Sequence, residues 1–228
     1  MKKIGIMGGT FNPIHYGHLH IAENAFKEFG LDEVLFMPNN TPGYKDNSTL
    51  AEASDRIRMI EMAISNYSHF SLNTMEIDRG GVTYTIDTLN TLTSDHPGDK
   101  FYFIIGADSL ENFLNWREPK KILEHAYILV ATRGKVSVEE VVDKINEIEA
   151  ELEITGRIMP MHCSKLFDIS LHDYSNKPEI GMIQTGLISS EKIRTCFATR
   201  KKTVAGMLQI KDVIPKDVFQ YIKEHKLY

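Results

Sequence analysis

Two histidines three residues apart, His15 and His18, close the string Gly8-Gly9-Thr10-Phe11-Asn12-Pro13-Ile14-His15-Tyr16-Gly17-His18. An apolar run, Ile4-Gly5-Ile6-Met7, precedes it. Leu19, Ala22, Ala25, Phe26 and Phe29 follow at helical spacing, with Gly30 at the helix end. Glycines let the backbone approach a ligand closely. Pro13 restricts Asn12 to extended torsions and stiffens the turn. A helix starting near Tyr16 puts both imidazoles on one side of its first turn, beside N–H groups with no partner inside the helix. Imidazoles, amides and the positive end of a helix dipole suit a phosphoryl group that gains charge as it reacts. An H-x-x-H pair alone reads as a surface turn with incidental histidines; the longer string argues for phosphate chemistry.

The elements that must position these groups alternate along the chain. Strand patterns fall at 3–7, 33–37, 70–77, 101–105, 127–131 and 157–161, and helical patterns at 18–29, 54–65, 85–94, 109–116, 119–125 and 137–152. Ser137-x-x-Glu140 is a capping box. This alternation predicts an α/β fold, Rossmann-like, with a mostly parallel doubly wound sheet, helices on both faces and a single domain over 1–228. The Rossmann strand order sets strands one and four side by side at the switch point. Gly8-Gly9-Thr10-Phe11 then faces Ile105-Gly106-Ala107-Asp108 across a crevice. Asp108 reads either as a helix cap or as an acceptor for ribose hydroxyls, and the two are compatible.

Composition narrows the function classes. The 228 residues are 42% hydrophobic and 25% charged, enough for a sizeable core without staples. A net charge of −5 gives no broad nucleic-acid surface, so an anionic substrate must be met by local Lys and Arg. Met1-Lys2-Lys3-Ile4 runs straight into a strand, which predicts no signal peptide, and no apolar run is long enough to span a membrane. Cys163 and Cys196 are far apart and read as free thiols in a reducing cytoplasm. Self-association into a homo-oligomer is compatible with the sequence. Neither a Walker A string nor G-x-G-x-x-G occurs, which argues against P-loop and dinucleotide-dependent redox chemistry.

The string 8–18 resembles the signature of the HxGH nucleotidyltransferase superfamily. Within it, the chain is most similar to the bacterial nicotinate-nucleotide adenylyltransferases, which commonly have Asp where Asn12 stands. Later segments carry the finer resemblance. Residues 76–89 read on their own as a strand, a glycine turn and a helix capped by Thr85, and they resemble the family's E-x-x-R-x-G-x-S/T-Y-T-x-D-T-L block. The resemblance implies Tyr84 as a pocket wall and Thr85 as a contact for the nicotinate carboxylate. Gly106 and Asp108 resemble the adenosine-binding segment. Trp116, a packing residue at the end of the 109–116 helix by pattern, matches a Trp that stacks on the pyridine ring. Arg117 stands where the family often has Tyr; a carboxylate contact through its backbone amide survives that change and a side-chain contact does not. Lys45, at the end of Met37-Pro38-Asn39-Asn40-Thr41-Pro42-Gly43-Tyr44-Lys45, resembles the Lys of P-P-H-K, with Tyr44 in place of His. Ser189, Ser190 and Arg194 resemble the I-S-S-T-x-I-R segment that holds triphosphate oxygens. Ser189 or Ser190 could cap that helix, and Glu191, in place of Thr, should point away from phosphate or pair with a cation.

Two regions depart from the family. Residues 171–187 form an insertion that reads as a hairpin, lid or oligomer contact, ahead of a helical part at 188–228 whose ending reads as structural. His162, Cys163, His172 and Asp173 are metal-ligand types without a recognisable ligand spacing. The resemblance implies adenylyl transfer from ATP to nicotinate mononucleotide, with Mg2+ accompanying ATP and with no nucleic-acid or membrane partner. His15, His18, Lys45 and Arg194 would be catalytic. Gly8, Gly9, Thr10, Phe11, Tyr84, Thr85, Gly106, Asp108, Trp116, Arg117, Ser189 and Ser190 would bind substrate, with no protein metal ligand. Nicotinamide mononucleotide or phosphopantetheine as acceptor, and a non-catalytic nucleotide-binding module, are the alternatives. Thr83-Tyr84-Thr85 and Trp116 weigh against phosphopantetheine.

Overall fold

The computed structural model describes residues 1–40, 49–132, 136–161, 189–198, 211 and 213–228. Its strands are β1 Lys3–Gly9, β2 Glu33–Pro38, β3 Phe70–Leu72, β4 Lys100–Gly106, β5 Ala126–Ala131 and β6 Ile158–Met161. They form one parallel sheet in the order β3-β2-β1-β4-β5-β6. The helices are α1 Tyr16–Phe29, α2 Ala53–Ile64, α3 Met75–Arg79, α4 Thr85–Asp95, α5 Ala107–Leu110, α6 Pro119–His125, α7 Val138–Leu152, α8 Ser190–Ala198 and α9 Lys216–Glu224.

A parallel sheet buried on both faces needs strands that are apolar on both sides. β4 meets this with Phe101, Tyr102, Phe103, Ile104 and Ile105, all buried. Two cores result. One packs Leu19 and Ala22 of α1, Met59 and Ile60 of α2, and Val218 and Ile222 of α9 against one face. The other packs Ile86 and Leu89 of α4, Ile122 and Leu123 of α6, and Val141, Ile145 and Ile148 of α7 against the opposite face. The last three share one helical stripe, and each such burial stabilises the fold by about 1.5–3 kcal/mol. Ser137 caps α7: its hydroxyl accepts from the Glu140 amide at 3.1 Å and its own amide donates to the Glu140 carboxylate at 2.7 Å. Gly30 ends α1 in the left-handed region (φ 57°), where a side chain would be strained.

Several boundaries differ from the pattern reading. The strand expected over 70–77 stops at Leu72, and Met75–Arg79 is helical. The Asn73 side chain causes the switch by accepting the Met75 amide at 3.0 Å, an Asx turn that starts the helix. The helix expected over 109–116 is the short α5 followed by a 3-10 turn at Phe113–Asn115, so Trp116 follows an irregular segment. Gly106, not Asp108, is the N-cap of α5, and Tyr84, not Thr85, is the N-cap of α4. Gly8 and Gly9 complete β1 rather than forming its turn. Residues 171–187, together with His162, Cys163, His172 and Asp173, lie outside the described residues. Among the described residues, no helix is long and apolar enough to cross a membrane.

Candidate active site at the carboxyl ends of β1 and β4

β1 and β4, the two central strands, pair in register up to Met7 and Ile104, so Gly8-Gly9 and Ile105-Gly106 end side by side at the carboxyl end of the sheet. The 8–18 string continues from there into α1. His15 is the extended N-cap of α1 (φ −147°, ψ 168°), and His18 is its third residue. Their rings stack at 3.7 Å and 22°. His15 is buried and His18 half-buried. The His15 amide donates to Nδ1 of His18 at 3.2 Å. That bond requires an unprotonated Nδ1, which leaves the proton on Nε2 and makes it a donor. A Cβ on Gly17 would stand 3.0 Å from two atoms of the His15 ring, so only glycine leaves the imidazole in place.

Phe11 holds a positive φ of 48°, a strained conformation for a bulky residue, kept by its surroundings. Its ring is 2% exposed, edge-on to His18 at 5.1 Å and 5.8 Å from Phe36. The ring thus supports His18 from below, and any substrate contact of Phe11 falls to its backbone.

Two segments distant in sequence close on the same loop. Arg194 of α8 donates through Nη1 to the Asn12 carbonyl at 2.8 Å, and the Ser190 hydroxyl donates to the Pro13 carbonyl at 2.9 Å. Ser189 caps α8 by accepting the Lys192 amide at 3.2 Å, which decides between the two serines. Glu191 is exposed on the first turn. From the other side, Arg56 of α2 reaches in, only 1% exposed. Its Nη1 donates to the carbonyls of Thr10 (3.0 Å) and Asn39 (2.8 Å), Nη2 to Asn40 (3.0 Å) and Nε to Ala51 (3.3 Å). Burial pushes its pKa down, opposed by Tyr228 and Glu52. Tyr228 donates to Oδ1 of Asn12 at 2.5 Å; burial pushes its phenol well up, opposed by Arg194 and Arg56. Asn12 also accepts the Ala51 amide (3.1 Å) and donates through Nδ2 to the Thr49 carbonyl (2.9 Å). An Asp here could not make that donation.

A second group of the expected site residues lies at the start of α4. The Arg117 guanidinium lies over the Tyr84 ring, 4.8 Å from its centroid, and 3.6 Å from the Asp87 carboxylate. Trp116 is half-buried, edge-on to Phe103 at 6.3 Å and tilted on Phe113 at 5.3 Å. Behind the 80–84 loop, Thr88 donates to the buried Glu76 carboxylate at 2.6 Å and accepts from Arg79 at 3.1 Å. Burial pushes the Glu76 carboxyl up, opposed by the Thr88 hydrogen bond and the Arg79 charge. Asn40 donates to the Gly81 carbonyl at 3.3 Å, joining this loop to the one after β2. Among the described residues, Thr83 Oγ1 and Asn39 Oδ1 are buried without a partner, and they belong to these two joined loops. Asp108 is exposed and lines a small pocket with Ala107, Glu111 and Val136.

The structure therefore gathers Thr10, His15, His18, Ser190 and Arg194 around one loop, and Tyr84 and Arg117 at the start of α4. Lys45 and Tyr44 lie outside the described residues. Arg56, Asn12 and Tyr228 escaped the sequence reading as site-building residues. One signal existed for Arg56: it shares the stripe 56, 59, 60, 63 of α2, whose other members are core residues. The tail is more than structural packing, because Tyr228 touches the signature loop.

Comparisons with known proteins identify the family. A family model described as cytidylyltransferase-like matches residues 6–195. A probable nicotinate-nucleotide adenylyltransferase of Lachnoclostridium phytofermentans is 47% identical over 148 residues, 65% of this chain and 74% of that protein. One from Dehalococcoides mccartyi is 35% identical across 99% of this chain and 97% of that protein. In fold, the chain superimposes over its full length on Plasmodium falciparum nicotinic acid mononucleotide adenylyltransferase complexed with NaAD, with a TM-score of 0.74, 23% identity and 98% of that chain covered. By these matches the chain belongs to the cytidylyltransferase-like family and, within it, to the nicotinate-nucleotide adenylyltransferases.

Proposed function

We propose that this enzyme transfers the adenylyl group of ATP to nicotinate mononucleotide, giving deamido-NAD and pyrophosphate in NAD biosynthesis. The observation that carries the phosphoryl chemistry is the convergence of α1 and α8 on residues 12–13. Arg194 and Ser190 anchor on two adjacent carbonyls of the loop that presents the stacked His15–His18 pair.

The mononucleotide phosphate oxygen attacks the α-phosphorus of ATP in line. A P–O bond forms there as the bond to the β-phosphate oxygen breaks, and pyrophosphate leaves with the electron pair. No protein nucleophile takes part; catalysis is positioning plus charge stabilisation. In this reading the Nε2–H of His18 donates to the reacting phosphates, with Thr10, His15, Gly8, Gly9 and the backbone of Phe11 around them. Arg194, Lys45, Ser189 and Ser190 receive the triphosphate. Gly106 and Asp108 face the adenosine. Trp116, Tyr84, Thr85 and the Arg117 backbone enclose the pyridine. Among the described residues no three His, Cys, Asp or Glu side chains gather as a metal site. Mg2+ would accompany ATP and would supply charge neutralisation on the triphosphate, beside Arg194 and Lys45.

Pyrophosphate release with ATP and either pyridine mononucleotide tests the reading. Turnover much faster with the nicotinate form is expected. Equal turnover with the nicotinamide form would overturn the acceptor assignment.

A further inference from the structure

The function above leaves the Arg117 side chain without a task, yet the structure places it with care. Arg117 follows Trp116 directly, and its guanidinium reaches the opposite wall, over the ring of Tyr84. That ring belongs to the N-cap residue of α4, so the charge stands at the positive end of an eleven-residue helix. The resident anion there is Asp87, in the first turn of α4. The two are 3.6 Å apart, beyond hydrogen-bond distance, and their side chains are 53% and 39% exposed. Such a pair contributes little to stability and exchanges readily for a better anion. The stack on Tyr84 fixes the plane of the guanidinium without consuming its donors. In sequence, Tyr84 follows Thr83, whose Oγ1 is buried without a partner among the described residues.

We infer that the Arg117 side chain is a specificity-determining group that reads the negative charge of the acceptor's ring carboxylate. The inference rests on the proposed acceptor and adds a residue to its recognition. The planar fork of Arg117 offers paired donors to a carboxylate. A substrate carboxylate takes the place of the loosely held Asp87, while a neutral carboxamide gives no such exchange. Selection between the two acceptors is then electrostatic at the mouth of the site, in addition to whatever the backbone amide supplies.

The test is the ratio of kcat/KM for nicotinate mononucleotide to that for nicotinamide mononucleotide, in wild type, Arg117→Gln and Arg117→Lys, at low and high salt. In Arg117→Gln the ratio is expected to fall about tenfold or more, the scale of losing one charged hydrogen bond. Arg117→Lys keeps the charge without the fork and is expected to be intermediate. Added salt is expected to lower the ratio in wild type and to leave it unchanged in Arg117→Gln, since exposed charges are screened. A purely structural Arg117 would weaken both acceptors equally, and an unchanged ratio would overturn the inference alone. Wild-type enzyme that uses neither acceptor would overturn the proposed function, and this inference with it.

Discussion

Replacing Arg56 by Ala removes a side chain that ties four loop carbonyls together. Thr10, Asn39, Asn40 and Ala51 all accept from it, at 2.8–3.3 Å. Hydrogen bonds to a charged donor contribute about 1.5–3 kcal/mol each, but burying the guanidinium costs several kcal/mol, so the sum of four overstates the effect. Among the described residues no carboxylate lies within ion-pair distance of Arg56, so no buried counter-charge is stranded by its removal. What remains is a cavity lined by carbonyls, which water fills in part. The expected loss is about 3–5 kcal/mol, because each buried carbonyl left without its donor costs about 1–3 kcal/mol and water replaces only part of the set. For a chain this long that is a fall in Tm of about 2–4 °C per kcal/mol. Since whole domains are stable by only about 5–15 kcal/mol, the variant should still fold at low temperature. Urea denaturation followed by circular dichroism gives the stability, with an unchanged m-value as the check on two-state behaviour. Turnover measured below the transition should also fall, because Thr10 and the 39–40 loop lose their shared anchor. Arg56→Lys supplies three donors from one point and cannot span four carbonyls, so it should recover only part of the loss. A loss under about 1 kcal/mol in Arg56→Ala, or wild-type behaviour in Arg56→Lys, would refute the reasoning.

Other outcomes follow from the same structure. His18→Ala should cut turnover roughly a hundredfold or more with little change in KM, the scale of losing a donor that acts in the transition state; near-normal turnover in a rapid-quench assay would remove His18 from the mechanism. Tyr228→Phe deletes the 2.5 Å bond to Asn12 and should cost about 1–2 kcal/mol in urea denaturation, with a higher KM for ATP through the shared contact of Asn12 with Arg194; an unchanged KM would show that the loop does not depend on it. Burial pushes the Glu23 carboxyl up, but hydrogen bonds from Lys27 and His69 outweigh burial and hold it below its usual value. A lowered carboxyl pKa contributes stability above the unfolded-state value and loses it as pH falls through the folded-state value. The stability gap between wild type and Glu23→Gln should therefore be full at neutral pH and close in acid; a gap that widens in acid would contradict the sign.

Much of the frame was legible because it depends on local pattern. β1 beside β4 followed from the alternation of elements and the Rossmann order, and the His15–His18 contact followed from helical spacing. The capping box at Ser137 needs only two residues three apart. What escaped depends on groups with no sequence signature. Arg56 pairs with carbonyls, which every residue carries, so its partners are invisible in the chain. The end of β3 was missed because Met75 and Ile77 continue an alternating pattern, while the Asn73 side chain diverts the backbone. Trp116 was placed on a helix because Leu110, Phe113 and Leu114 have helical spacing, although the backbone breaks after Leu110. Arg117 over Tyr84 joins residues on separate elements, and only the packing of α4 against α6 and its preceding loop brings them together.

The contacts that complete the signature loop come from very far along the chain. Pro13 waits for Ser190, and Asn12 for Arg194 and Tyr228, at sequence separations of 177, 182 and 216. During synthesis, the strand and helix around positions 3–29 emerge early, but the loop between them cannot take its final form until the region near 228 has been made. Closing such long intervals is slow compared with forming local helices. The loop of residues 8–18 thus draws part of its support from the slowest-forming contacts of the fold. Asn12 can be held first by its nearer partners, Thr49 and Ala51, and the contacts from α8 and Tyr228 lock the loop afterwards.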